Sequence, residues 1–331
     1  MKRRGVRIAT RGSALALWQA QHVQTRLRAA EPGLLVDLVV ITTSGDRLAE
    51  TSPEMPGNKG LFVKEIEEAL LEDRADLAVH SMKDVPAVLP RELIVGAVSR
   101  REDTRDALVC RAPPEGSFGG RPCDLLPRNA RVGTTSQRRQ CQLLHRRPDL
   151  QVLPLRGNVD TRLRRLEEGA VDALVLAMAG LVRLGLAGRA DALFDEGQML
   201  PAVGQGALAL EHRRADEDVA SLIVAINDLP TAIEIAAERA FSAQLGGDCR
   251  TPLAGRAWCH GSRLLLRGLV GAPDGSAIIS VERWGSVREP SLLGREVAEA
   301  LLERGANELL QMPVATTCVI APSPPACPEP A

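Results

Sequence analysis

The hydrophobic pattern of this chain switches between a strand rhythm and a helix rhythm. Residues 6–10 are a short, mostly apolar run that reads as a buried strand. Ser13 offers an N-cap to a helix reaching about Ala30, where Pro32-Gly33 breaks it. Residues 34–42 read as the next strand. Residues 43–60 hold Gly45, Pro53, Pro56, Gly57 and Gly60 without periodicity and predict a loop. Residues 61–74 are amphipathic, with Phe62, Ile66, Ala69 and Leu70 on one helical face. Residues 76–81 form a further strand, closed by a turn at 82–86. This β-α-β-α-β order is that of a mostly parallel sheet with helices on its faces.

The order then repeats. Strands are predicted at 132–134, 151–155 and 172–177, with helices at 136–147 and 158–169 between them. The two stretches echo each other in sequence. Ile8-Ala9-Thr10 parallels Val132-Gly133-Thr134, and Asp76 followed by Met82 parallels Asp172 followed by Met178. Two similar α/β lobes are expected, with a ligand cleft at the carboxyl ends of their strands. The remainder differs. A strand at 207–211, helices at 218–226 and 232–245, a hairpin of 264–270 and 277–284 around Pro273-Asp274-Gly275, and a helix at 292–304 predict a small α+β domain. The tail from Thr316 carries five prolines in APSPPACPEPA and reads as disordered.

With 331 residues, the chain exceeds the size at which single cores stop growing, so two or three domains are expected. The start, MKRRGVRIATRGS, lacks the apolar stretch of a signal peptide, and no apolar run is long enough to span a membrane. A cytoplasmic protein is expected. Seven cysteines without C-x-x-C spacing, and five scattered histidines, argue against a disulfide framework and give no metal signal. The formal net charge is −1, which disfavours a general nucleic-acid binder, and there are no Tyr, three Trp and four Phe for stacking. Only four basic residues are lysines: Lys2, Lys59, Lys64 and Lys83. Codon bias explains a surplus of Arg blandly. The functional alternative is that Arg forks grip carboxylates or phosphates.

The distribution of charge favours the second reading at particular places. Arg11 follows a strand and opens a helix beside Ser13; Arg138 and Arg139 follow Thr134-Thr135-Ser136 at a strand–helix junction. Arg156 is read as ending a strand, and Arg162 falls in the first turn of the next helix. Helix N-termini offer free N–H groups and a positive dipole end, so hydroxyls and Arg there form anion sites. For Arg146, Arg147, Arg164 and Arg165 a solvated helix face is preferred. Lys83-Asp84, in His80-Ser81-Met82-Lys83-Asp84-Val85-Pro86, reads either as an exposed ion pair or as a carboxylate placed in the cleft to stabilise a transient cation. Gly204-Gln205-Gly206 matches a dinucleotide fingerprint in form, but a strand follows it where that fingerprint needs a helix. It is read as a chain crossing between lobes. Cys249, in the loop Gly246-Gly247-Asp248-Cys249-Arg250, is read either as incidental or as a thiolate-prone residue.

These stretches together resemble the porphobilinogen deaminase family. RIATRGSALALWQA, KGLFVKEIEEALLEDRADLAVHSMKDVP, VGTTSQRRQCQL, LRGNVDTRL, LPAVGQGALALE, AERAF and GGDCRTPLAG occur in family order. The resemblance implies an α/β fold of two lobes like type II periplasmic binding proteins plus a small α+β C-terminal domain. The divisions expected are 1–103 with 205–224 for the first lobe, 104–204 for the inserted second lobe, 225–315 for the C-terminal domain and 316–331 for the tail. It also implies a transferase that condenses four porphobilinogen molecules head to tail, with loss of ammonia, into hydroxymethylbilane. The primer is a dipyrromethane cofactor bound covalently through Cys249.

The resemblance further implies roles. Asp84 aligns with the catalytic aspartate, and Lys83, Ser81, Ser13, Thr135, Ser136, Arg138, Arg139, Arg162 and Arg183 align with cofactor contacts. Arg11, Arg156, Lys59 and Phe62 align with positions at or bordering the substrate site. No metal, nucleic acid or membrane is implied, and a monomer is expected. The chain departs from common family residues at Asp248, Gln137 and Met55. Two rivals from other classes are weaker. A non-catalytic anion-binding protein would not need Asp84 or the third domain, and a cysteine hydrolase needs a positioned His that no motif offers.

Overall fold

The computed structural model describes residues 5–45, 63–112, 121–247 and 251–313. Strands β1 (Gly5–Arg11), β2 (Leu35–Ile41), β3 (Leu77–Ser81) and β4 (Leu93–Val98) are joined by β10 (Leu208–Arg213) into a sheet of order β2-β1-β3-β10-β4. Strands β5 (Asp106–Cys110), β6 (Arg131–Gly133), β7 (Gln151–Leu153), β8 (Ala173–Ala177) and β9 (Ala192–Leu193) form a second sheet of order β7-β6-β8-β5-β9. The two orders are equivalent. In each sheet four strands share one direction, and the fourth position in the order is filled by one antiparallel strand, that on which the chain arrives from the other lobe. The chain therefore crosses twice, at 99–105 and 194–207. Gly204-Gln205-Gly206 lies on the second crossing.

The sequence echo has a physical basis. The backbone N–H and Nε of Arg7 both donate to Asp76 Oδ2, and Nη2 donates to Oδ1. Arg131 and Asp172 repeat the arrangement atom for atom. Each pair ties a parallel neighbour pair together, β1 to the start of β3 and β6 to the start of β8. The Met82 N–H donates to Ala207 O, and the Met178 N–H to Arg105 O, so both third strands end against an incoming crossing. Helices flank both sheets. Helix α1 (Ala14–Ala30) is capped by Ser13 Oγ and buries Ala20, Val23 and Leu27; α2 (Lys64–Leu71) buries Ile66, Ala69 and Leu70. In the second lobe α3 (Gln137–Arg146), α4 (Val159–Glu167) and α5 (Met178–Arg183) take the matching places.

The third domain packs α7 (Leu229–Gln244) and α8 (Pro290–Glu303) on an antiparallel sheet of β11 (Leu253–His260), β12 (Arg263–Gly271) and β13 (Ile278–Ser286). Phe241 is fully buried against Gly255 and Gly268, where any Cβ would meet its ring. Strand β11 was not anticipated, because it pairs with β12 along only one edge. Its other edge would expose N–H groups, a liability in any edge strand. Here Glu238 accepts from the Ala257 N–H and Glu234 from the Cys259 N–H. The hairpin turn docks on the second lobe, with Gln140 Nε2 donating to Pro273 O.

Two expectations need correction. Arg156 does not end a strand; β7 stops at Leu153 and Arg156 lies in the loop beyond. Arg147 is not a solvated helix residue. It is half-buried, pairs with Asp149 and donates to Cys123 O, Leu126 O and Pro127 O, pinning that segment. Arg146, Arg164 and Arg165 are exposed as expected, though Arg146 also donates to Gln198 O and Gly197 O.

Glu238 joins three parts of the molecule and is fully buried. It accepts from Arg101 Nη1 at 2.7 Å and Nη2 at 2.9 Å on the first crossing, from the Gly204 N–H on the second, and from β11. Removing one partner of such a buried pair strands the other charge. Glu238→Gln is expected to lower unfolding free energy by about 3–5 kcal/mol in a urea titration; a loss under about 1 kcal/mol, the size of an exposed pair, would contradict this.

A second buried cluster titrates. His80 Nε2 on β3 lies 3.1 Å from Glu211 Oε2 on β10. Glu67 of α2 and Arg239 of α7 face the same pair. Burial first, then repulsion from Glu211, raises the Glu67 carboxyl from 4.5 to about 7, against a smaller opposing effect of His80. The native state therefore keeps a proton that an unfolded chain has released, and stability falls as pH rises through this window. Glu67→Gln should weaken that pH dependence and stabilise the protein at about pH 8 relative to wild type. Parallel pH profiles for the two proteins in thermal unfolding would contradict it.

Candidate active site

The site begins where β3 ends. Residues Met82–Asp84 form a single 3₁₀ turn, and buried Met82 anchors it. Gly204 packs directly on this turn. It holds a φ of +76°, and a Cβ there would lie 2.5 Å from Met82 Cγ and 3.1 Å from the Lys83 N. The crossing thus clamps the turn and leaves Lys83 half-buried and Asp84 exposed. Ser81 Oγ accepts from Gln19 Nε2 at 2.8 Å, which ties the same turn to α1.

Helices α3 and α4 begin at the carboxyl ends of β6 and β7. Their N-cap residues, Ser136 and Asn158, make no side-chain capping bond, whereas Asp216 and Asp228 cap the helices α6 (Glu217–Ile223) and α7. Unsatisfied N–H groups at a positive dipole end suit an anion. Arg138 and Arg139 rise from the first turn of α3, both buried. Both grip Asp106, the fully buried first residue of β5: Arg138 Nη1 reaches Oδ2 at 2.7 Å and Arg139 Nη2 reaches Oδ1 at 2.8 Å. Despite the cost of burial, these two guanidiniums hold the Asp106 carboxyl well below the usual carboxylate range.

Arg162, on α4, donates Nε to Gly157 O at 2.8 Å. Gly157 adopts φ +111°, and a Cβ there would sit 2.8 Å from Thr161 Cγ2, so only glycine presents this carbonyl without strain. Burial lowers Arg162 to about 10; Arg139 and Arg156 add to the shift and Asp84 opposes it. Lys83 is lowered to about 8, chiefly by lost hydration, with Asp84 and Asp106 opposing and Arg139 and Arg138 assisting. These mutual effects place Lys83, Asp84, Arg138, Arg139, Arg156 and Arg162 in one electrostatic neighbourhood.

Arg183 is set apart from that group. It is buried, donates Nη2 to Gly206 O at 2.6 Å, and lies 5.9 Å from the centre of the Trp18 ring, across the lobes. Burial lowers it to about 10. Ser13 Oγ accepts the α1 cap bond, which leaves its O–H to donate; Arg11 is the half-buried last residue of β1, and Thr135 and Ser136 are half-buried at the start of α3. Cys249, Asp248, Lys59, Phe62 and Met55 lie outside the described residues, as do most of the 43–60 loop and the 316–331 tail.

The sequence reading missed Asp106, Gln205 and Trp18. The signal for Asp106 was present: an acid opening the fully apolar run Ala107–Val109, together with two adjacent arginines that burial would force to find a carboxylate.

Lys83, Arg156, Arg162 and Arg183 form no ion pair with any described residue, though none is fully solvated. Cations placed so, beside uncapped helix starts and one exposed carboxylate, suit a ligand with several carboxylates. This donor set fits a polycarboxylate group such as dipyrromethane. The described residues include no helix long and apolar enough to cross a membrane and no three metal-ligating side chains that converge.

Comparison with known proteins agrees with that chemistry. Residues 6–221 match the family model described as porphobilinogen deaminase, dipyromethane cofactor binding domain, and residues 232–303 match its C-terminal domain. A porphobilinogen deaminase of Syntrophotalea carbinolica is 49% identical over 310 residues, covering 94% of this chain and 96% of the relative. Among solved structures, the methionine-binding protein MetQ aligns with TM-score 0.43 at 15% identity, over 67% of this chain and 90% of that one. The VFT2 domain of Bordetella pertussis BvgS aligns with TM-score 0.40 at 19% identity, over 67% and 86%. Matches to both family models, and near-half identity across almost a whole relative, mean that the chain belongs to the porphobilinogen deaminase family.

Proposed function

We propose that the cleft between the lobes binds dipyrromethane through its carboxylates and extends it with porphobilinogen. The reaction is the condensation of four porphobilinogen molecules into hydroxymethylbilane with release of ammonia, a step of tetrapyrrole biosynthesis. The observation that carries the reading is the set of partly or fully buried cations, Lys83, Arg156, Arg162 and Arg183, that no described carboxylate pairs. A buried guanidinium without a carboxylate is costly unless a ligand supplies one.

Each residue has a proposed task. Lys83, Arg138, Arg139, Arg162 and Arg183, with the hydroxyls of Ser13, Ser81, Thr135 and Ser136, hold the cofactor; Arg11, Arg156, Lys59 and Phe62 serve incoming substrate. Cys249 forms the thioether. When bound, dipyrromethane supplies the free pyrrole carbon at which the chain grows. Asp84 does the protein's share of the chemistry. Its exposed carboxylate sits beside Lys83 and Arg162, where it can stabilise positive charge on a pyrrole nitrogen as the amine leaves, and move protons at its oxygens. We also propose the division into 1–103 with 205–224, 104–204, and 225–315. The membership of β10 in the first sheet and β5 in the second supports it. A monomeric cytoplasmic enzyme without nucleic-acid or membrane partners fits the near-neutral charge.

Asp84→Asn keeps shape and removes charge. Turnover is expected to fall by at least about a hundredfold, while the cofactor stays attached. Turnover within a few-fold of wild type would remove Asp84 from the chemistry. Cys249→Ala should yield a folded protein whose intact mass equals the polypeptide alone. A dipyrromethane-sized excess surviving denaturation would place the thioether elsewhere.

A further inference from the structure

The arginines assigned to cofactor binding are themselves held by a residue that no role has been given. We infer that Asp106 is a positioning residue for the cofactor site: it fixes one edge of Arg138 and one edge of Arg139 and leaves the opposite edges for a ligand carboxylate. The inference rests on the reading that Arg138 and Arg139 bind the cofactor.

Geometry carries it. Arg138 gives Nη1 and Nη2 to Asp106, at 2.7 and 3.3 Å, and Nη1 also to Leu200 O at 3.0 Å; its buried Nε has no acceptor. Arg139 gives Nε and Nη2 to Asp106 Oδ1, at 3.1 and 2.8 Å, and its Nη1 donates to no described residue. Each guanidinium therefore keeps an unused N–H. Asp106 is in turn held by Gln205 Nε2 at 3.2 Å, and that same nitrogen donates to Thr104 O at 2.7 Å. The carboxylate is thus tied to both chain crossings at once.

Charge gives the second reason. Two adjacent buried guanidiniums repel; burial first, and then Arg138, push Arg139 below the usual guanidinium range, and Asp106 opposes both. Lys83 adds a third positive charge to the same neighbourhood. With Asp106 ionised, the two arginines carry one net positive charge, so the pair can wait aligned in the free cleft and still attract an anion. Without it, two buried charges would have to separate or draw in water, and the ligand would meet disordered donors.

The test is Asp106→Asn in the full-length protein, read by the fraction of purified molecules carrying dipyrromethane in intact mass, and by reloading of the cofactor-free protein with porphobilinogen. Cofactor content is expected to fall at least about tenfold, the loss of one charge-assisted hydrogen bond. Asp106→Glu, which restores the charge, should recover much of it. A residue that only stabilised the fold would lower the melting temperature yet load normally well below it. If Asp106→Asn does not fold, Asp106→Asn combined with Arg139→Gln removes one charge of each sign and should fold again. Failure of that double variant to fold would overturn the inference, and so would normal loading of folded Asp106→Asn. Arg138→Gln and Arg139→Gln separate the two claims: if both load normally, the cofactor reading of those arginines is at fault. If they lose cofactor while Asp106→Asn keeps it, only the Asp106 inference falls.

Discussion

A buried guanidinium cannot shed its proton and must find a carboxylate, and this molecule is arranged around that requirement. Arg101 meets Glu238 where the two crossings and the third domain converge. The partly exposed Arg7 and Arg131 follow the same pattern, meeting Asp76 and Asp172 at corresponding places in the two lobes. Arg138 and Arg139 share Asp106. Glu238 and Asp106 both sit against the crossings, so the same two chain segments that join the lobes also set the Met82–Asp84 turn and the arginine pair. The formal net charge of −1 conceals this arrangement. Many of the acids neutralise structural arginines, while Lys83, Arg156 and Arg162, without a described carboxylate partner, share one electrostatic neighbourhood.

The duplicated lobes make the chemistry one-sided. Both third strands end in a methionine whose N–H meets a crossing. After Met82 come Lys83 and Asp84; after Met178 come Ala179 and Gly180. One lobe therefore contributes a carboxylate and an ammonium, and the other contributes helix starts and arginines. On the proposed reading, a ligand lying between them meets its reactive group on the first lobe and carboxylate-binding groups on both. That division suits a reaction in which each added ring brings more carboxylates to be held while the bond-forming centre stays in place.

What could be read in advance was local. Ser13 as a cap, the 3.6-residue rhythm read over 61–74, and the paired motifs around Thr10 and Thr134 depend on neighbours in sequence; the cap forms, and the helix takes the central part of its stretch, Lys64–Leu71. The carboxylate partners were not readable, because Asp106 lies 32 and 33 residues from its arginines and Arg101 lies 137 from Glu238. Strand β11 escaped because its free edge is satisfied by glutamates of a helix rather than by another strand. Arg147 was misread for the same reason: a helix-end arginine looks solvated until the segment it pins is folded beside it. The resemblance supplied what spacing could not, including the role of Cys249.

The central claim is that this cleft holds a covalently primed, growing polycarboxylate. The most direct measurement is the intact mass of the full-length protein before and after brief exposure to porphobilinogen. The account predicts an initial excess equal to one dipyrromethane, then a ladder of species each heavier by one pyrrole unit. A protein at its polypeptide mass throughout, with no ladder, would contradict it.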